Sequence, residues 1–203
     1  MLKIVVFVSG RGSNLREVYS KVPKDKLKIS AVVSDKTDCG GINFAKEENI
    51  PVYFVSETYN EGFVDFNFLI NEFRSINVDL FLLAGFLKKI PDHFVDAFEN
   101  KIINIHPALL PKYGGKGMYG LNVHKAVFDS KDQFSGVTIH FVDKIYDNGK
   151  IIVQKTIDIS DAKNPEEVAE KVLEIEHQLL PYLIEKFCDN KIKYDGGEIR
   201  IID

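Results

Sequence analysis

Ile4-Val5-Val6-Phe7-Val8-Ser9-Gly10-Arg11-Gly12-Ser13-Asn14-Leu15 lies near the start of the chain, and its reading decides the fold. An unbroken apolar, valine-rich run suits a strand buried on both faces, the condition of a central strand in a parallel sheet. The glycines of Ser9-Gly10-Arg11-Gly12-Ser13 then break the strand and hand the chain to a helix. Short β-branched runs recur at residues 29–33, 52–55, 80–83 and 102–105, each followed by a loop or a helix-like stretch. This alternation predicts an α/β fold, a doubly wound, mostly parallel, Rossmann-like sheet covered by helices on both faces.

Helical spacing of apolar residues marks residues 63–76 and, over a longer span, 166–187. Asn164-Pro165-Glu166-Glu167 opens the second with a capping residue, a first-turn proline and acidic groups at the positive helix end. Residues 136–142 and 151–157 read as paired strands around an Asp147-Asn148-Gly149 turn, which adds an antiparallel C-terminal portion to the sheet. Asp195-Gly196-Gly197-Glu198 reads as a small hairpin turn.

The length of 203 residues fits one domain, residues 1–203, with a core large enough to need no disulfide or metal. A hydrophobic share of 45% and a charged share of 28% are those of a soluble globular protein. With 26 Lys and Arg against 30 Asp and Glu, the formal charge of −4 excludes the basic footprint of a nucleic-acid binder. Cys39 and Cys188 make neither a disulfide framework nor a CxxC site. The N-terminal apolar run is far shorter than the ~18 residues of a membrane span and lacks a cleavage-site pattern, so a cytoplasmic location is expected.

The Gly10–Gly12 loop falls at the carboxyl edge of the sheet, where open α/β folds bind ligands. Its glycines permit close backbone approach, and free amides at the helix start with the Ser13 hydroxyl suit a phosphate. Leu15 takes the place of the third glycine of GxGxxG and no Gly-Lys-Ser/Thr follows, so dinucleotide and triphosphate sites are disfavoured. A tight turn in which Ser13 or Asn14 merely caps the helix explains the same residues.

In Lys101-Ile102-Ile103-Asn104-Ile105-His106-Pro107, strand alternation puts Asn104 and His106 on one side and Ile103 and Ile105 on the other. Pro107 ends the strand and leaves His106 at its mouth. A strand-end histidine satisfied by a backbone carbonyl is the plain alternative, and for Asp147 it is turn chemistry alone. His93, His124, His140 and His177 are dispersed and show no metal-ligand spacing, so no metal is expected. Residues 114–124 are glycine-rich, as a closing loop or a long surface loop would be.

Asn104-Ile105-His106-Pro107-Ala108-Leu109-Leu110-Pro111-Lys112-Tyr113, with Asp147 some way downstream, resembles the hallmark of the folate-dependent formyltransferase family, Asn-x-His-Pro-Ser-Leu-Leu-Pro-x-Tyr followed by a loop Asp. Ala108 replaces the serine and touches no catalytic atom. The resemblance implies the formyltransferase fold, a catalytic centre of Asn104, His106 and Asp147, and 10-formyltetrahydrofolate as co-substrate. It implies that Asn104 and a protonated His106, held charged by Asp147, donate to a tetrahedral oxyanion.

Within the family, Ser9-Gly10-Arg11-Gly12-Ser13-Asn14-Leu15 is similar to the branch that formylates glycinamide ribonucleotide in de novo purine (IMP) synthesis, where Gly12, Ser13 and Asn14 would hold the substrate phosphate. Glu176 matches a substrate-contacting glutamate, with a solvated helix face as its plain alternative. Leu87, Lys88, Lys89, Ile90, Asp143 and Asp147 are placed beside the folate, although many relatives carry arginine where Lys88 stands, and lysine does not reproduce a planar fork. Other branches add a further domain, for which 203 residues leave no room.

Overall fold

The computed structural model describes residues 1–195 and 198–202. In chain order it runs β1 (Leu2–Val8), α1 (Ser13–Lys21), β2 (Leu27–Ser34), α2 (Gly40–Glu47), β3 (Val52–Phe54), α3 (Phe66–Ser75), β4 (Leu80–Leu83), α4 (Asp92–Ala97), β5 (Ile102–His106), α5 (Leu121–Asp129), β6 (Phe134–Phe141), β7 (Ile151–Asp158), α6 (Pro165–Cys188), β8 (Ile192–Asp195) and β9 (Glu198–Ile201). A seven-stranded sheet is ordered β3-β2-β1-β4-β5-β6-β7. The pairs from β3 across to β5 are parallel, and β6 and β7 are antiparallel. The expected doubly wound sheet with an antiparallel C-terminal portion is therefore what the chain forms.

Strand alternation builds two cores. From β1, Ile4, Val6 and Val8 enter the layer shared with α1, α2, α5 and α6, while Val5 and Phe7 face α3 and α4. The second layer is a phenylalanine cluster of Phe7, Phe66, Phe73, Phe81, Phe94 and Phe98, with ring centroids from 4.4 to 6.4 Å apart. Offset and edge-on rings gain about 0.5–1.5 kcal/mol per pair beyond their burial. This layer packs under β1 and β4, which pair in parallel from Ile4 opposite Leu80 to Phe7 opposite Leu83.

Three expected boundaries shift. The helix expected from residue 63 begins at Phe66, because Asp65 caps it by accepting from the Phe68 N–H at 2.7 Å, and Val64 instead bridges Val55. The 136–142 and 151–157 strands do pair, but the connection is residues 142–150, a loop rather than a tight turn, with Asp147 left-handed at φ 53°. The glycine-rich stretch ends earlier than expected, since residues from Leu121 form α5. The 166–187 helix stands as expected, with Pro165 in its first turn and Asn164 accepting from the Glu167 N–H at 2.8 Å. β8 pairs antiparallel with β9, and the Gly196-Gly197 turn between them lies outside the described residues.

Candidate active site

The sheet order reverses at β1, with β2 and β3 on one side and β4 and β5 on the other. Such a switch point opens a crevice at the carboxyl ends of the strands. A cavity of about 600 Å³ lies there, walled by the loop after β1, residues 83–90 after β4, residues 104–107, the 115–121 segment, residues 142–147 and α6.

At the end of β1, Gly12 adopts φ 73°, and a Cβ there would lie 2.5 Å from the Gly41 Cα. Only glycine fits both demands. α1 starts at Ser13 with no side-chain cap and no acidic residue in its first turn. The cap position thus falls on Gly12 rather than on Ser13 or Asn14, and Gly12, Ser13 and Asn14 line the cavity at the helix start, where the first amides have no acceptor within the helix. Asn14 instead turns inward and donates from Nδ2 to Glu176 Oε2 at 2.9 Å, while its Oδ1 is buried without a hydrogen-bond partner among the described residues. Glu176 is only 7% exposed, so the solvated-face reading of this residue is overturned. Burial pushes its carboxyl up to about 7, partly offset by the Asn14 bond.

Across the cavity, β5 pairs with β6 so that Asn104 faces His140 and His106 faces Thr138. His106 Nε2 lies 2.7 Å from the Tyr113 carbonyl, which makes Nε2 the protonated nitrogen and leaves a lone pair on Nδ1. That Nδ1 sits 3.7 Å from Asp147 Oδ1. The Tyr113 segment is held from below by Thr138, whose hydroxyl donates to the Ala108 carbonyl at 2.7 Å and accepts from the Leu110 N–H and from Gln154.

Burial pushes the His106 imidazole below its ordinary value, outweighing the Asp147 charge and the Tyr113 carbonyl, which act the other way. Asp147 acts on His106 in the expected direction, but the side chain is 4% exposed and desolvation is the larger effect. Burial thus favours the neutral imidazole over the charged one. Burial also works to raise Asp147, but the His140 ring 3.6 Å away, the charge that His106 carries when protonated and the Gly115 N–H at 2.9 Å together hold it below the usual carboxylate range. Gly114 makes room for this loop, since a Cβ there would meet Leu110 at 2.6 Å and Asp147 at 3.0 Å.

Two histidines that the sequence left dispersed belong to the site. His140 donates from Nδ1 to the Phe141 carbonyl at 2.8 Å, so its Nε2 accepts from Asn104 Nδ2 at 3.1 Å. Asn104 has a second amide hydrogen, directed at Asp147 Oδ1 at 3.5 Å. His124 on α5 lines the cavity with Nδ1 buried and unpartnered among the described residues, and burial, then the charge that His106 carries when protonated, pushes it down to about 4. The strand period carried the signal for His140, which lies two residues from Thr138 on the same face. Its partner strand was not legible.

Leu87, Lys88, Lys89, Ile90 and Asp143 all line the same cavity. Leu87 is half-exposed at the mouth and Ile90 is buried. Lys89 pairs with Asp92 at 2.8 Å, and Asp143 accepts from the Ile145 N–H, shaping its own loop.

The formyl transferase family matches residues 2–184. A phosphoribosylglycinamide formyltransferase of Vigna unguiculata chloroplasts is 43% identical over 98% of this chain and 65% of its own length. Across three such plant relatives, the chain spans 65%, 70% and 68% of their lengths. The Haemophilus influenzae phosphoribosylglycinamide formyltransferase is 33% identical over 95% of this chain and 90% of its own. A solved phosphoribosylglycinamide formyltransferase of Anaplasma phagocytophilum superposes with a TM-score of 0.88 at 30% identity, covering 100% of this chain and 94% of that one.

Proposed function

The chain belongs to the formyl transferase family, whose reactions take a folate-type formyl donor, and from that premise we propose that it transfers the formyl group of 10-formyltetrahydrofolate to the amine of glycinamide ribonucleotide, with residues 1–203 acting as one formyltransferase domain. The observation that carries this reading is a single cavity holding Asn104, His106 and Asp147 on one wall and the open N-terminus of α1 on the other. A phosphate at Gly12, Ser13 and Asn14 would meet unpaired amides and the positive helix end. The buried Glu176 carboxylate and the unpartnered Asn14 Oδ1 offer acceptors to the hydroxyls and N–H groups of the same substrate. Leu87, Lys88, Lys89, Ile90 and Asp143 would hold the folate at the mouth.

In the reaction, the amine nitrogen bonds to the formyl carbon and the carbonyl oxygen takes a negative charge. The second Asn104 amide hydrogen is free to leave Asp147 and donate to that oxygen. Neutral His106 accepts the amine proton on Nδ1, and the resulting imidazolium is stabilised by Asp147. Collapse of the intermediate breaks the bond to the folate nitrogen, which takes up the amine's proton from His106. No residue becomes formylated. The low imidazole pKa serves this sequence, since a group charged beforehand could not take the proton.

The test is one assay with 10-formyltetrahydrofolate, with and without glycinamide ribonucleotide, following formylated product and formate. Formylated product formed only with the amine present supports the reading. Formate released at the same rate without the amine would point to a deformylase.

A further inference from the structure

The anion-binding loop of the proposed function is shaped from outside the cavity. Gly40, the first residue of α2, lies outside the left-handed φ range, so its backbone does not require glycine. Within a helix alanine is ordinarily the better helix former. The reason for glycine is approach. A Cβ on Gly40 would lie 2.6 Å from the Arg11 carbonyl oxygen, 3.0 Å from the Arg11 Cα and 3.1 Å from its carbonyl carbon. These are backbone atoms, and no rotamer change can relieve them. The contact is reciprocal, since the Cβ denied to Gly12 points at Gly41. The Gly41 N–H donates to the Gly10 carbonyl at 3.1 Å, and Arg16 Nη2 on α1 donates to the Gly40 carbonyl at 3.3 Å. Both sides of the loop are thus cast against the first turn of α2.

We propose that Gly40 is a positioning residue for substrate phosphate: by letting α2 dock backbone to backbone on Arg11 and Gly12, it sets the height and tilt of the α1 N-terminus without touching the ligand. This deepens the proposed function and rests on it. Gly40→Ala moves Arg11 by the few tenths of an ångström to one ångström that the overlap demands. Amides aimed at a phosphate lose their geometry, while Asn104, His106 and the folate loop, anchored on β4 and β5, stay in place.

The experiment measures steady-state kinetics with both substrates varied, for the wild type, Gly40→Ala and Arg16→Met, with thermal melts in the presence and absence of inorganic phosphate. Wild-type formylation of glycinamide ribonucleotide tests the underlying reading on its own. Given that activity, Gly40→Ala is expected to raise the KM for glycinamide ribonucleotide tenfold or more. The KM for the folate and kcat should stay within twofold, and protection by phosphate should be lost. An unchanged amine KM overturns the proposal, and so does a fall in kcat accompanied by equal rises in both KM values. Should Gly40→Ala fail to fold, Arg16→Met loosens the same contact without added volume. It is expected to raise the amine KM two- to fourfold, and no change in that KM overturns the proposal.

Discussion

Glu176→Gln isolates the electrostatics of the buried pair. In the folded protein Glu176 keeps its proton up to about pH 7, whereas its ordinary value is 4.5. Between those values the folded form binds more protons than the unfolded chain, so stability falls as pH rises. The stabilisation is complete below 4.5 and is lost as pH passes through about 7. At ~1.4 kcal/mol per pKa unit, the displacement amounts to about 3 kcal/mol, of which about 2–3 kcal/mol falls between pH 5 and pH 8.

Glutamine keeps an acceptor for Asn14 Nδ2 and gains a donor for the unpartnered Asn14 Oδ1. Its stability therefore has no such slope. Urea or thermal unfolding of both proteins at pH 5 and pH 8, without ligand, measures the gap. Glu176→Gln should gain on the wild type by about 5–10 °C in melting temperature over that range, at roughly 2–4 °C per kcal/mol for a chain of this size. A gap that does not change with pH would mean that Glu176 is ionised and solvated in the folded state, and the reading of the pair would fall.

Gly12→Ala must place a side chain at φ 73° and 2.5 Å from the Gly41 Cα; a loss of about 2 kcal/mol or more in unfolding free energy is expected, together with a raised KM for the amine. Thr138→Val removes the hydroxyl that joins the Ala108 carbonyl, the Leu110 N–H and Gln154. Denaturant unfolding should show a loss of about 2–3 kcal/mol, and kcat should fall as the Tyr113 carbonyl loses its hold on His106. In the Glu176→Gln background, kcat/KM should rise with pH through an apparent pKa below 6.5, the ordinary value that His106 is displaced from. A midpoint above 7 contradicts a neutral His106.

The central sheet was legible because β1 and β4 are buried on both faces, and uninterrupted apolar runs admit few other readings. The phosphate loop was legible as a candidate from its glycines, and Asn104 with His106 from strand alternation. What decides between function and the plain alternatives is tertiary. Asn14 meets Glu176 across 162 residues of sequence, and nothing local in either segment announces a buried carboxylate. His140 needed the antiparallel register with Asn104. The balance at His106 was only half legible, because a neighbouring carboxylate can be read from a motif, whereas the desolvation that opposes it comes from elements packed around the ring. Gly40 carries no signal of its own in the sequence, and only the overlap with Arg11 gives its reason.

The most direct test of the account is formyl transfer from 10-formyltetrahydrofolate to glycinamide ribonucleotide by the wild type and by Asp147→Asn, measured side by side with their melting curves. The account predicts wild-type turnover that depends on the amine. It also predicts a folded Asp147→Asn protein whose kcat is lower by about 10²–10³, the typical loss when one electrostatic stabiliser of a transition state is removed. Near-normal turnover by Asp147→Asn, or no formylated product from the wild type, would contradict it.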